Sequence, residues 1–493
     1  MASSPTVATS TDINNRYDVV VIGAGLSGIN LAYRLRTRLP HLSFVVLEAR
    51  DNIGGTWDLY RYPGARCDSE IYVQGFAWHP WSIDRPLPTG EELLEYMSDA
   101  VSKHRLDRFI RLGHRVSSAE WSTADKSWTL SVATEDHKTR SVEASWLIQA
   151  TGYFDFESPQ QPDIPRLESF SGKVVNPQFW PAELDYTGKK VAVIGSGATA
   201  VSLLPALPGR ASHVMMIQRS PTYITASANT AWAHRFLPRP LVDVFRFIRY
   251  LIMPYLVVLL CQYFPDFVRE DFRKATIGQL PKHIDFDTHF KPRYNPWEQR
   301  ICVDADGAFY KALHLPNVKF ITGEIKSVGH DAITMQSGET VPVDIIVTAT
   351  GPRMRLGGKV ALRVDGEPVS WGRRYVWNGA MLDAVPNMMF TLGYTNHALT
   401  LGADNTAALF TRLWKYMEKR GLDMARPRIT PDAAAAGTRR LWQLDSTYAL
   451  EAERSGELPV YGVTGNWRPR NRPPIDYVKA RWGDYTSGLE FAT

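Results

Sequence analysis

The sequence predicts an α/β protein with two dinucleotide-binding, Rossmann-like units and a helical insertion. Three observations carry this prediction. A strand–glycine turn–helix–strand pattern occurs twice, once near the start of the chain and once from Lys190 onward. Two apolar strands end in the same tripeptide, Ala-Thr-Gly, in Trp146–Gly152 and Ile345–Gly351. At 493 residues the chain also exceeds what one hydrophobic core serves, so two or three domains are expected.

In chain order, Met1 to Asn15 is rich in Ser and Thr and lacks the basic-then-apolar layout of a signal peptide. It is expected to form a loose tail. Asp18–Ile22 is an apolar run of strand length that leads into Gly23-Ala-Gly25-Leu-Ser-Gly28. Helical spacing follows through Leu31, Leu35 and Leu39, and a second strand, Phe44–Leu47, ends in Glu48. The second unit repeats the plan: Lys190–Ile194, then Gly195-Ser196-Gly197-Ala-Thr199-Ala200, a helix through Leu203, and Val214–Ile217 before Gln218-Arg219-Ser220. The first glycine of each motif allows the tight turn and the second lets backbone approach a pyrophosphate. The third position, Gly28 or Ala200, must be small so that helix and strand pack.

The two units differ in charge at one equivalent place. Glu48 lies 25 positions after Gly23, and Arg219 lies 24 after Gly195. A carboxylate there accepts ribose hydroxyls and repels a 2′-phosphate, whereas a guanidinium favours that phosphate. The first site therefore suits FAD and the second NADPH, with Ser220 as either a further donor or an ordinary turn residue. Gly54-Gly55-Thr56-Trp57 is a turn in which backbone can come close to a ligand.

Composition narrows the rest. Lys plus Arg number 56 against 51 Asp plus Glu, a net charge of +5 without basic blocks, which excludes nucleic acid as the main partner. Cys67, Cys261 and Cys302 are too few and too scattered for a disulfide framework or a metal centre, and they point to a reducing, cytoplasmic compartment. No uninterrupted run of 18 apolar residues occurs, so no membrane-spanning helix is expected. The nearest approach, Leu251–Leu260, is interrupted by Pro254 and reads first as a buried core helix. A membrane-surface patch, or a wall of an apolar substrate pocket, is the other reading.

Longer motifs resemble one family. Gly54–Trp57, Arg61-Tyr-Pro-Gly-Ala-Arg-Cys-Asp68 and Phe170-Ser-Gly172-Lys-Val-Val-Asn176-Pro-Gln-Phe-Trp180-Pro181 are similar to Baeyer–Villiger monooxygenases. The resemblance runs from about Tyr17 to the C-terminus. It is nearest to the ethionamide-activating monooxygenase subgroup, through Ile194–Val201, Gln218–Ile224, Tyr294–Arg300 and Gly393-Tyr-Thr-Asn396. It implies a flavin reduced by NADPH that captures O2 as a C4a-peroxide, which attacks a ketone to give an ester or lactone. By motif position it implies that Arg300 is the active-site cation and that Asp68 is the carboxylate orienting it.

The same resemblance divides the chain into a split FAD-binding domain (16–152 and 352–493), an NADPH-binding domain (153–224 and 315–351) and a helical insertion (225–314). It also implies that the region after Gly393, with a helix from about Asn405 to Met417, closes over the flavin. His397 there is a catalytic or a structural histidine. The apolar insertion suggests a hydrophobic ketone or thioether substrate, or a peripheral membrane contact. Two departures stand out. Asn176 occupies the fingerprint histidine's position, where it keeps hydrogen bonding but cannot carry a proton. Gln299 replaces a lysine common in relatives, which leaves the 2′-phosphate to Arg219. Two rival readings stand beside the Baeyer–Villiger one: an S- or N-oxygenating flavin monooxygenase, and an uncoupled NADPH oxidase with a binding or sensing role. A disulfide oxidoreductase is excluded because no C-x-x-C pair exists.

Overall fold

A computed structural model of the chain describes residues 13–134, 138–230 and 239–493. Its first glycine unit is built on strand β1 (Arg16–Ile22), helix α1 (Leu26–Arg38), β2 (Phe44–Leu47) and β3 (Thr139–Gln149). β1 lies parallel between β2 and β3, with Val20 opposite both Val45 and Leu147. Val19, Val20 and Val21 are fully buried, as expected of a parallel strand covered on both faces. This sheet has nine strands and recruits distant chain: Met388–Phe390 pairs in parallel with β3, and Ala361–Val364 pairs with Arg115–Ser122.

The second unit is a five-stranded parallel sheet. β4 (Lys190–Ile194) lies between β5 (His213–Gln218) and β7 (Ile345–Thr348), with β6 (Val318–Thr322) outside β5 and Lys173–Val175 outside β7. Helix α2 (Ala198–Leu203) follows the glycine turn. A short parallel pair joins Ile224–Ser227 to Cys302–Ala305.

The two Ala-Thr-Gly endings have one shared physical purpose. A side chain on Gly23 would meet the Ala150 carbonyl oxygen at 2.6 Å, and one on Gly195 would meet that of Ala349 at 2.2 Å. Each ending therefore seals the first glycine of its own unit. Both of these glycines have positive φ, 104° and 137°, which a side chain would strain in any case.

Three expectations change. Residues 1–12 of the expected tail lie outside the described residues, but Ile13 to Asn15 are tied down. Ile13 is buried, and the Glu143 N–H donates to the Asn15 carbonyl at 2.7 Å. The helix expected from about Asn405 runs from Leu399 to Arg420 (helix α5, following α3 and α4 below), because its first turn packs against Leu392 and Gly393. The largest correction concerns the apolar insertion. Helix α3 (Arg239–Tyr263) continues through Pro254, so its apolar stretch is not interrupted there. By length and composition Leu241–Tyr263 is sufficient to cross a membrane. It is not a core helix either, since only 22% of this stretch is buried. Val242, Leu251, Val258 and Cys261 face the body, whereas Leu241, Val244, Phe245, Ile248 and Leu256 are exposed. Helix α4 (Pro265–Ile277) follows and extends the apolar surface with Phe267. The last helix, α6 (Pro473–Trp482), packs beside α3 through Phe247 and Tyr477, whose ring centroids are 5.7 Å apart.

Candidate active site

One cleft of about 1140 Å³ runs between the two glycine units. Gly23, Gly25, Glu48, Gly55, Thr56, Trp57 and Asp68 line one part of it, and Gly195, Ser196, Gly197, Thr199, Arg219, Ser220 and Arg300 another. Gly28 does not line it. A Cβ there would come within 1.8 Å of the Gly23 carbonyl oxygen, so Gly28 serves helix–strand packing.

In the first unit the glycines bring two backbones together. A Cβ on Gly55, whose φ is +56°, would sit 3.2 Å from the Gly25 Cα. Glu48 is held by its own turn: its carboxylate accepts the Ala24 N–H at 2.7 Å and the Arg50 N–H at 3.0 Å. Burial pushes its pKa up, while those two N–H groups pull it back. Thr350, Thr400 and Ser446 also line the cleft, and their buried hydroxyls have no partner. Unpaired buried hydroxyls beside a glycine cradle fit a large polar cofactor. In the second unit a Cβ on Gly197 would meet nothing within 4 Å, which leaves open space at the turn. Arg219 is exposed at the end of β5 and makes no ion pair among the described residues. An uncommitted guanidinium in that place fits the extra phosphate of NADPH.

Arg300 comes just before Cys302–Ala305 and reaches the floor of the cleft between the units. Its Nη2 donates to the Tyr394 carbonyl at 3.4 Å. Burial lowers its pKa, but Tyr153, Tyr448, Asp68 and Cys67 facing it reverse the sign, so the net shift is upward. Burial pushes the Cys67 and Cys302 thiols up to about 12, and the Tyr153 phenol is raised too. At neutral pH these neighbours are uncharged, and Asp68 is the carboxylate among the groups facing Arg300. Asp68 does not touch it. No ion pair joins the two among the described residues, and the Asp68 carboxylate accepts the Ser69 hydroxyl at 3.4 Å. The expected orienting contact is therefore replaced by charge acting across the cleft.

Two sequence questions resolve locally. His397 accepts the Ala398 N–H at 2.8 Å and donates from Nε2 to the Tyr250 carbonyl at 2.9 Å. Burial lowers its pKa to about 4, so it is a neutral, structural histidine that ties α3 to the start of α5. Asn176 lies outside the cleft lining and caps a short 3₁₀ turn, its Oδ1 accepting the Gln178 N–H at 3.0 Å. Tyr153, Tyr448, Thr350, Thr400 and Ser446 escape sequence reasoning. The only local signal for the first and third is their place within or after an Ala-Thr-Gly ending.

The chain compares with known proteins as follows. A family model described as pyridine nucleotide-disulphide oxidoreductase matches residues 20–233. The three cysteines are all free and buried, so the paired thiols in that description have no counterpart here. The chain is 37% identical over 475 residues to the FAD-containing monooxygenase EthA of Mycolicibacterium smegmatis, covering 95% of this chain and 96% of that protein. It is 36% identical over 485 residues to the probable FAD-binding monooxygenase AlmA of an Acinetobacter species, covering 97% of each. Its fold is similar to NADP-bound steroid monooxygenase, with a TM-score of 0.76, 22% identity, and 97% and 99% of the two chains covered. It is also similar to caprolactone-bound cyclohexanone monooxygenase, with a TM-score of 0.74, 21% identity, and 97% and 100% covered.

Proposed function

Because the chain belongs to the family of FAD-containing monooxygenases, we propose that it inserts one oxygen atom beside the carbonyl of a hydrophobic ketone. The product is an ester or lactone. One ketone, one O2, one NADPH and one proton give one ester, one NADP+ and one water. FAD, when bound, is reduced by NADPH and supplies the activated oxygen. The residues divide the remaining work. Gly23, Gly25, Gly55, Thr56 and Trp57 cradle the flavin nucleotide and Glu48 takes its ribose. Gly195, Ser196, Gly197 and Thr199 hold NADPH, with Arg219 and Ser220 on its 2′-phosphate. We assign 16–152 with 352–493 to FAD, 153–224 with 315–351 to NADPH, and 225–314 to the insertion.

The observation that carries the proposal is Arg300, a cation on the cleft floor between the two units, walled by protonated thiols and phenols. Negative charge developing on a carbonyl oxygen under attack needs such a preorganised cation away from water. Arg300 cannot be deprotonated at working pH, so it stabilises charge and does not act as a base. The test follows NADPH oxidation and ester formation together on an aliphatic ketone. Arg300→Ala should still let NADPH bleach the flavin, while ester formation falls by about a hundredfold or more. Ester formation at the parent rate would defeat the proposal. A matched thioether of the same length tests S-oxygenation as a second activity. NADPH oxidation yielding only hydrogen peroxide with either substrate would favour the uncoupled reading.

We further place the enzyme in the cytoplasm, resting on a membrane surface through α3 and α4. The exposed apolar face of α3, the exposed Tyr263 at its end and the exposed Arg249 support an anionic lipid surface as the partner. Cosedimentation with phosphatidylglycerol vesicles, lost in Val244→Asp/Ile248→Asp, is the expected result. Full recovery in the supernatant would exclude it.

A further inference from the structure

A second cavity lies far from the cleft in sequence and shares none of its lining residues. It has a volume of about 220 Å³ and sits between the Asn378–Gly379 turn and the start of α6. Arg468, Arg470, Arg472 and Lys479 line it, together with Asn378 and one carboxylate, Asp476. None of the four cations makes an ion pair among the described residues. Like charges gathered around a single carboxylate are costly unless something else neutralises them.

The donors are held in place and partly unused. Asn378 is only 6% exposed, yet its Nδ2 has no partner. Arg470 is anchored by one nitrogen, Nη1, which donates to the Thr406 hydroxyl at 2.8 Å and to the Gly402 carbonyl at 3.4 Å. Its Nη2 is buried and unpaired. The guanidinium stem rests on Gly379, where a Cβ would come within 2.5 Å of the Arg470 Cδ, and that glycine's φ of +63° is itself unfavourable for a side chain. Arg468 is pinned through Nε to the Val463 carbonyl at 2.8 Å. The one carboxylate is already engaged, since Asp476 accepts the Arg472 N–H at 2.9 Å.

We propose that this cavity is a binding site for a phosphate-type oxyanion, held by Arg468, Arg470, Lys479 and the Asn378 amide. Four cations against the one carboxylate in the lining leave an excess of positive charge that a group of one to two negative charges partly offsets. Forked guanidinium donors suit tetrahedral oxygens. The same chemistry has two sources, a free phosphate or phosphate ester and a phospholipid headgroup. Ile475 lines the cavity and is 52% exposed, with Val478 and Trp482 exposed further along α6, so acyl chains have an apolar surface beside the headgroup.

Calorimetric titration of the holoenzyme with inorganic phosphate tests the site, with NADP+ saturating the nucleotide cleft and sodium chloride at equal ionic strength as the reference. Saturable binding is expected, weakened about fivefold or more by Lys479→Gln and by Arg468→Gln. Both variants are used because Arg470 also braces Gly402 and Thr406, so its removal risks the fold. No saturable heat beyond the chloride reference, or undiminished binding in both variants, would overturn the proposal. A flotation arm identifies the source. Phosphate-competed binding to phosphatidylglycerol vesicles but not phosphatidylcholine vesicles upholds the site with a lipid headgroup in it. Phosphate binding without flotation upholds it with a soluble phosphate compound.

Discussion

Glu48 and Arg219 are two charges at equivalent places in two copies of one motif, and we propose that they distinguish the two nucleotides. Arg219 is the more exposed to test, because no protein group shares its charge. Arg219→Ala is expected to weaken NADPH by about ten- to a hundredfold, the loss of one charge-assisted phosphate contact, and to leave NADH nearly unchanged. The ratio of kcat/KM for the two cofactors reads this directly, and an undiminished preference would place the phosphate elsewhere. Asn176 poses a different question. Its amide caps a turn and lies away from the cleft, so Asn176→Ala should cost stability by about 1 kcal/mol, seen as a lower melting temperature. Asn176→His would restore a titratable group; if NADPH consumption, product yield and pH profile all stayed the same, the position would have no part in coupling. These residues were legible in the sequence because motif spacing fixed their place. Tyr153 and Tyr448 were not, since the chain between them spans most of the second unit and only folding brings both to Arg300.

Elements were legible in proportion to their periodicity. The glycine units stood out because strand, turn and helix follow one another locally. Helix α3 was misread because proline ordinarily ends a helix, by removing one N–H and crowding the preceding turn. Here the helix accepts Pro254, which lies on the same face as Leu251, Val258 and Cys261, the residues docked on the body. His397 supports that docking: its Nε2 donates to the Tyr250 carbonyl, while its Nδ1 accepts the Ala398 N–H only in the neutral ring. Its pKa of about 4 lies below the ordinary value of 6.5, so the folded state resists protonation. The stability it contributes is present above about pH 6.5 and is lost as pH falls toward 4, about 3 kcal/mol in all. Melting temperatures between pH 7.5 and 4.5 should therefore fall more steeply for the parent protein than for His397→Gln. Equal slopes would show that this histidine is not the titrating clamp. A second element, the loop Arg61–Asp68, meets the other unit at Gly64, where a Cβ would approach the Ser202 carbonyl to 2.3 Å at a φ of +79°. Gly64→Ala should thus separate the units locally and lower both melting temperature and NADPH affinity, as binding titrations and thermal melts would register.

At the scale of the molecule, two parallel units of similar design face one cleft, and the paired Ala-Thr-Gly endings made that arrangement readable in advance. What could not be read was the width of the first sheet. Two of its members, Ala361–Val364 and Met388–Phe390, are short and arrive from more than two hundred residues away, so no local pattern announces their partners. The floor of the cleft was equally hidden, being made where several distant segments converge.

The two crossings between the units, Thr151-Gly152 and Thr350-Gly351, both line that cleft, and their glycines have φ of +71° and +109°. On the upstream side each is fixed by an alanine carbonyl sealed over a motif glycine. Any swing of one unit against the other must therefore pivot on these two pairs, which lie on the floor of the site itself. A nucleotide bound across them is expected to work as a splint. Filling the cleft stiffens the joint, and amide exchange at Gly152 and Gly351 should slow on cofactor binding even though neither amide belongs to a glycine motif.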